Sequence, residues 1–351
     1  MGPVTLADVA ALAGVSEATV SRTLSSSRPV GRDVEARVRK AAAELGYSGN
    51  SIARALRKNR TDTVGMVVPS ILNPFFTSLV DSFERALHSE GKQLVLCDSR
   101  QDPEVEAEHL RSLLQRQVDG IVVSACHQEL SVPAIRATAR AVPLVQLDRR
   151  VDVEGTDWIG VDDDEAMRLV MEHLLSRGVR SAGFISSAMT NSSTHLRLLG
   201  FRRHAERLGI AVLDDWVVLG EYTIASGERS GREILAQDAR PDAIVCADDL
   251  IAIGVLKACR ELGVSVPGEI QVTGFDDITF ASYVVPSLTS LAQPTDRMAT
   301  EAIRLLGVSA GLARSAGAAG TAGGSGRERG PAARMAFAPS LVVRETTRLL
   351  P

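Results

Sequence analysis

Aromatic residues make up only 4% of this 351-residue chain, against 45% for the hydrophobic set as a whole, so any core must be packed mainly with aliphatic side chains. No run of about 18 uncharged apolar residues exists, which excludes a membrane-spanning helix. The stretch Met1–Ala10 carries no Lys or Arg ahead of its apolar residues and lacks the basic start of a secretory leader. Cysteine is scarce. Cys97, Cys126, Cys246 and Cys259 show no Cys-x-x-Cys spacing and no Cys/His array, which argues against a structural zinc site. Cys97 and Cys246 lie inside apolar runs and read as buried free thiols, as a reducing cytoplasm allows. Also missing are a Gly-x-Gly-x-x-Gly after the first strand, a Walker A sequence, a Gly-x-Ser-x-Gly elbow and a His-Glu-x-x-His pair. No cofactor, metal or catalytic residue is therefore assigned, and the chain does not read as an enzyme.

What is present begins with an uneven charge. Residues 1–60 hold ten Lys and Arg against five acids, a net of +5; on a chain of net −4 this leaves −9 for the remainder. A small basic head on an acidic body points to a polyanion as partner for the head alone. Within it, Thr5 can cap a helix whose third position is Asp8. Leu6, Val9, Ala10 and Ala13 fall on one face of that helix. Gly14 permits a tight turn, and Ser16 can cap a second helix over 17–24 with Val20 and Leu24 facing inward. Two short helices joined in this way form a helix-turn-helix. The outer face of the second helix carries Glu17, Ala18, Ser21 and Arg22. Such small or hydrogen-bonding groups can enter a major groove. A third helix, about 32–45, supplies Val34, Val38, Ala41, Ala42 and Leu45 to a small core, and Gly46 ends it. Residues 50–60 are helix-forming, short and strongly basic, which suits a segment that folds only against DNA. A basic interdomain linker would share that composition.

From Thr63 onward short apolar runs alternate with amphipathic stretches, the pattern of α/β units with parallel sheets covered on both faces. About 290 residues is too many for one such sheet, so two lobes are expected. Acids cluster just after the strand-like runs: Asp148 beside Arg149, Asp248 beside Asp249, and Asp276 beside Asp277. Ligands of open α/β sheets bind beyond the carboxyl ends of the strands. Ser309–Arg334 is dominated by Ala and Gly and reads as a flexible loop, with one last strand following it.

The run Val4–Ala10, then Ala13-Gly14-Val15-Ser16, Thr19-Val20-Ser21-Arg22, Glu44-Leu45-Gly46-Tyr47, and Asn50, Ala53, Arg54 and Leu56 resemble the LacI/GalR-type (lactose/galactose repressor) family of transcription regulators. In the body the resemblance continues through Asn73-Pro74-Phe75-Phe76, Val118-Asp119-Gly120, Gly274-Phe275-Asp276-Asp277 and Val343-Arg344-Glu345-Thr346. It implies a helix-turn-helix domain over 1–49, a hinge helix over 50–61, and a two-lobed, periplasmic-binding-protein-like effector and dimerisation domain over 62–351. The lobes are expected at about 62–160 plus 290–308 and about 161–289 plus 335–351. By the same resemblance Glu17, Ala18 and Arg22 read bases, while Thr5, Ser16, Thr19, Ser21 and Asn50 hold the DNA backbone. Ala53, Arg54, Leu56 and Arg57 belong to the DNA-binding hinge, with Leu56 wedged into a central base step of the minor groove, where an apolar side chain can kink the duplex. Phe76, Asp148, Asn191, Ser193, Arg197, Tyr222, Asp248 and Asp276 are implied to line the effector cleft. Two departures stand out: Ser48-Gly49 replace a frequent Arg-Pro, and Asp248 replaces a usual Asn.

Together these features read as a cytoplasmic repressor that binds a pseudo-palindromic operator as a homodimer. Acids with one arginine suit a neutral sugar as effector, and its binding is expected to close the lobes and release DNA. The rival reading, an extracytoplasmic solute-binding protein of the same body fold, leaves the basic head without a role.

Overall fold

The computed structural model describes residues 4–25, 30–47, 60–307 and 332–348. The chain divides into two compact units, Met1–Thr61 and Asp62–Pro351.

The first unit contains three described helices, α1 (Leu6–Ala13), α2 (Glu17–Ser25) and α3 (Arg32–Glu44). Thr5 and Asp8 form a reciprocal capping box: the Asp8 amide donates to the Thr5 hydroxyl at 3.3 Å, and the Thr5 amide donates to the Asp8 carboxylate at 2.8 Å. That contact holds the Asp8 carboxyl below its usual range. Gly14 takes a left-handed φ of 63°, which a Cβ would disfavour. The Ser16 hydroxyl accepts from the Thr19 amide at 3.3 Å and starts α2. Val9, Ala10, Ala13, Val20, Val38, Ala41 and Ala42 form the small core. Leu24 does not face inward as its spacing from Val20 predicts. Leu24 is 40% exposed, and Thr23 is buried in its place, with its hydroxyl satisfied by the Thr19 carbonyl. The inward stripe of α2 therefore runs Val20–Thr23, i to i+3, rather than i to i+4.

The second unit holds two six-stranded sheets. In the first, the strands are β1 (Thr63–Val68), β2 (Gln93–Asp98), β3 (Gly120–Val123), β4 (Leu144–Leu147), β5 (Asp157–Val161) and β11 (Arg334–Phe337), in spatial order β2-β1-β3-β4-β5-β11 and all parallel. Helices α4 (Pro74–Ser89), α5 (Pro103–Gln115), α6 (Val132–Ala141) and α11 (Thr295–Leu305) cover it through two aliphatic clusters centred on Val64, Leu79 and Ile303 and on Val67, Leu113 and Ile135. In the second, β6 (Ala182–Ser187), β7 (Val217–Gly220), β8 (Ala243–Cys246), β9 (Gln271–Asp276), β10 (Thr289–Ala292) and β12 (Ser340–Val342) run β7-β6-β8-β9-β10-β12; only the β10–β12 pair is antiparallel. Helices α7 (Asp163–Ser176), α8 (Ser192–Leu208), α9 (Ile224–Leu235) and α10 (Asp249–Leu262) pack against it.

The chain changes lobe at 161–163, 292–295 and 337–340. Residues 335–351 were expected in the second lobe with one strand. The structure instead splits them between the two sheets, because Phe337 fills the first lobe's core beside β5 while β12 completes the second sheet. Likewise β10 lies in the second sheet, between β9 and β12, although 290–308 was expected in the first lobe, and the crossing falls after it. The expected loop reaches Arg334, which is already the first residue of β11; 308–331 lie outside the described residues. Cys97 is half-buried rather than buried, because β2 is an edge strand; the other three thiols are buried and all four are free.

Candidate functional site

The described head places Thr5, Ser16, Glu17, Ala18 and Arg22 at the surface, with Thr19 and Ser21 partly covered. Glu17, Ala18, Ser21 and Arg22 share the face of α2 opposite the buried Val20. This arrangement presents one short polar stripe on a helix held by two others. Asn50, Ala53, Arg54, Leu56 and Arg57 lie outside the described residues.

In the body, the carboxyl ends of β4, β8 and β9 converge. Asp148 follows β4 and Asp276 is the last residue of β9; both take left-handed conformations, φ 60° and 98°, which turn the chain sharply away as the sheet ends. Such backbone is uncommon outside glycine, although Asp tolerates it better than most residues. Asp248 caps α10 through the Ile251 amide at 2.8 Å and also accepts from the Asn73 side chain, across the lobes, at 3.3 Å. From α8 come Ser193 and Arg197; Tyr222 follows β7; Asn73, Phe75 and Phe76 open α4. Seven of the eight expected residues line one cavity between the lobes. Asn191 is not among them. Its carboxamide caps α8, accepting from the Thr194 amide at 3.0 Å and donating to the Ser187 hydroxyl.

Asn73 and Phe75 line the cavity without having been expected there, and so does Arg149. Its guanidinium lies between two rings, 5.6 Å from the centre of Phe76 in the first lobe and 5.2 Å from Tyr222 in the second. These side chains leave only about 10 Å³ of free space, room for one water at most. The available signal was its place directly after Asp148 at a strand end. Asp163, also unflagged, accepts from Arg197 Nε at 2.8 Å, and both side chains are about 95% buried. Arg197 further donates to the Ala247 carbonyl at 2.6 Å and lies 3.5 Å over the Phe275 ring.

The electrostatics follow from crowding. Burial pushes Asp148 upward against the pull of Arg197 and Arg149. It pushes Asp163 and Asp248 to about 6, and Asp276 to about 7, with Arg197 opposing in each case. The buried Ser193 hydroxyl has no hydrogen-bond partner among the described residues, nor does the Gln293 carbonyl oxygen, although Gln293 donates to Asp276 at 2.8 Å. Of these two atoms the Ser193 hydroxyl is at the cavity wall, and a buried polar atom left open there is what a polar ligand would satisfy. Among the described residues no cluster of His, Cys, Asp or Glu is arranged to hold a metal, and no helix is long and apolar enough to cross a membrane.

Residues 5–50 match the family model for bacterial regulatory proteins of the lacI family, and 171–347 match that for a periplasmic binding protein-like domain. The chain belongs to the lacI family of regulatory proteins. It is 34% identical over 303 residues to an HTH-type transcriptional repressor, PurR, of Pectobacterium carotovorum, covering 86% of this chain and 89% of that one. The PurR of Histophilus somni is 31% identical, with 86% and 91% covered. The Lac repressor dimer bound to operator and the anti-inducer ONPF superimposes with a TM-score of 0.84 at 26% identity, covering 99% of each chain. A complex of the regulator CelR with cellobiose gives 0.69 at 31%, covering 98% and 99%. This lacI-family member is a DNA-binding transcription repressor with a two-lobed, periplasmic-binding-protein-like body. It is not an enzyme; the proteins it matches are repressors.

Proposed function

We propose that this repressor works in the cytoplasm as a homodimer on a pseudo-palindromic operator and that a neutral sugar in the interlobe cavity controls its affinity for DNA. The observation that carries the effector class is the polar set around the cavity. Asp148, Asp248 and Asp276 offer acceptors to neighbouring hydroxyls, Arg197 and Arg149 offer donors, and Ser193 has an open hydroxyl. Tyr222 or Phe76 can cover the apolar face of a sugar ring. With acids balancing its two arginines, the cavity has no surplus positive charge to hold a phosphate. The similar regulator CelR has been solved with cellobiose, which supports the same class. Dimerisation is supported by apolar side chains exposed close together on the second lobe: Phe280 at 56%, Tyr283 at 77% and Val285 at 87%. The similar Lac repressor structure is itself a dimer on operator.

Because the cavity is already filled by Arg149, an effector has to displace that guanidinium, and so part Phe76 from Tyr222, before it can settle. Ligand binding then changes the lobe arrangement, and the operator affinity with it, only by preferring one arrangement over the other. A second reading follows from the same sandwich. A slot that holds a planar guanidinium between two rings can also hold a planar nucleobase. A thermal-shift panel of neutral sugars, sugar phosphates and nucleobases, followed by operator-release measurements on the hits, separates these readings. Stabilisation by a neutral sugar that is lost in Asp276→Ala, with operator binding intact, is the expected result. A response to phosphates or bases alone overturns the sugar reading, and loss of operator binding in Asp276→Ala makes that residue structural.

A further inference from the structure

Behind the effector cavity, on the far side of the Arg197–Asp163 pair, lies a second and roomier cavity of about 210 Å³. It straddles the lobes where the chain crosses at 161–163. From the first lobe come Arg150, Trp158 and Ala336; from the second come Asp163, Leu196 and Leu199. The two cavities stand back to back. Arg149 faces one and Arg150 the other, while Arg197 lines the first and its partner Asp163 the second.

The charges in this second cavity are unequally satisfied. Asp163 is paired with Arg197, and Asp164 with Arg203 at 3.0 Å and with His204 at 3.2 Å. Asp162 accepts from the Glu165 amide at the start of α7. Arg150 is different. Its guanidinium lies 4.3 Å over the Trp158 ring, and no carboxylate within ion-pair or hydrogen-bond reach engages it among the described residues. Burial and the nearby Arg334 both work against its charge, and Asp163 and Asp152 offset them only in part. Next to this cation is an apolar wall. Trp158 is 6% exposed and Val161 3%, whereas Leu199, on the same wall, is 48% exposed.

We propose that this second cavity is a binding site for a small monocarboxylate with an apolar body, its head on Arg150 and its chain along Leu196 and Leu199. A single negative charge is required, because Asp162, Asp163 and Asp164 all line the same cavity and would repel a second one. A ligand here touches both lobes at their crossing and lies one ion pair away from the effector cavity. It is therefore a modulator: whatever it does to effector affinity, the effector does to its affinity in equal measure. The proposal does not depend on which effector the first cavity takes.

The test uses the full chain and a series of straight-chain monocarboxylates, acetate, butanoate and hexanoate, with 1-hexanol as the uncharged control. Binding is followed by calorimetry and by fluorescence of Trp158, one of only two tryptophans in the chain. Saturable binding is expected, with affinity rising about fourfold for each methylene buried. Hexanol should bind at least tenfold more weakly, as loss of a charge-assisted hydrogen bond implies. Arg150→Gln should weaken hexanoate at least tenfold, Arg150→Lys should retain part of the binding, and Leu199→Ser should flatten the chain-length dependence. Unchanged melting temperatures and operator binding in these variants show that the fold is intact. Absence of saturable hexanoate binding at millimolar concentration overturns the proposal. So does equal binding to the wild type and to Arg150→Gln, or equal binding of hexanoate and hexanol.

Discussion

Replacing Arg197 with Met tests the central electrostatic argument, because the structure places this one guanidinium among four acids. Met has similar reach and can lie against Phe275 where the guanidinium now stacks. Asp163 loses its cation at 2.8 Å, Asp148 loses one of two arginines that stand at 4.0 Å and keeps Arg149, and Asp248 and Asp276 lose one of the charges that oppose their desolvation. Removing one partner of a buried ion pair costs about 3–5 kcal/mol. For a body of this size each kcal/mol lowers the melting temperature by roughly 2–4 °C, so the expected drop is about 6–20 °C. The pH dependence is the sharper signature. All four acids have folded-state values raised by burial, so the folded protein holds their protons more tightly than the unfolded chain does. Their ionisation costs stability as pH rises from about 4 to about 7, and Arg197 limits that cost. The penalty of Arg197→Met should therefore be largest near pH 8 and shrink towards pH 5, where the acids take up protons instead. Calorimetric melts of both proteins across this range provide the measurement. A penalty that is the same at pH 5 and pH 8 would refute the charge argument and leave packing against Phe275 as the role of Arg197.

Four further outcomes are expected. Asp276→Asn removes an acid whose folded value is raised to about 7, so its melting temperature should gain on the wild type as pH rises from 4 to 8; a parallel profile counts against the raised value. Asn191→Ala should cost about 1 kcal/mol in stability as the α8 cap is lost, and any effector found should bind with unaltered affinity, because Asn191 does not line the cavity. Gly254→Ala would place its Cβ 2.2 Å from the Ile224 carbonyl oxygen, where α9 and α10 meet backbone to backbone; a loss of about 1–3 kcal/mol or more is expected in denaturant titrations. Arg22→Ala should cost about 1–3 kcal/mol on the cognate operator and relax preference at one base pair per half-site, as read by duplex selection, whereas equal loss on all sequences would make it a phosphate contact.

The head was legible almost residue by residue. Its caps, its turn glycine and its apolar spacing are local features, each settled within three or four residues of chain. The single error, Leu24, lay at the end of a helix, where the choice between i+3 and i+4 depends on what packs beneath. The α/β body was legible as a class, because strand–helix alternation is also local.

What the chain determines by itself is therefore the fold class, the helix-turn-helix head and the strand ends at which acids collect. Only the tertiary structure decided which of those acids share a cavity, because that depends on two lobes whose strands are interleaved in sequence. It split residues 334–342 between two sheets, since Phe337 finds its core beside β5 while β12 finds an open edge at β10. It assigned Asn191 to a cap rather than to the cavity. It also brought Arg149 between rings that stand 146 positions apart in sequence, Phe76 and Tyr222. No local pattern specifies such a contact, because the free energy that holds it comes from desolvation that exists only once both lobes are folded.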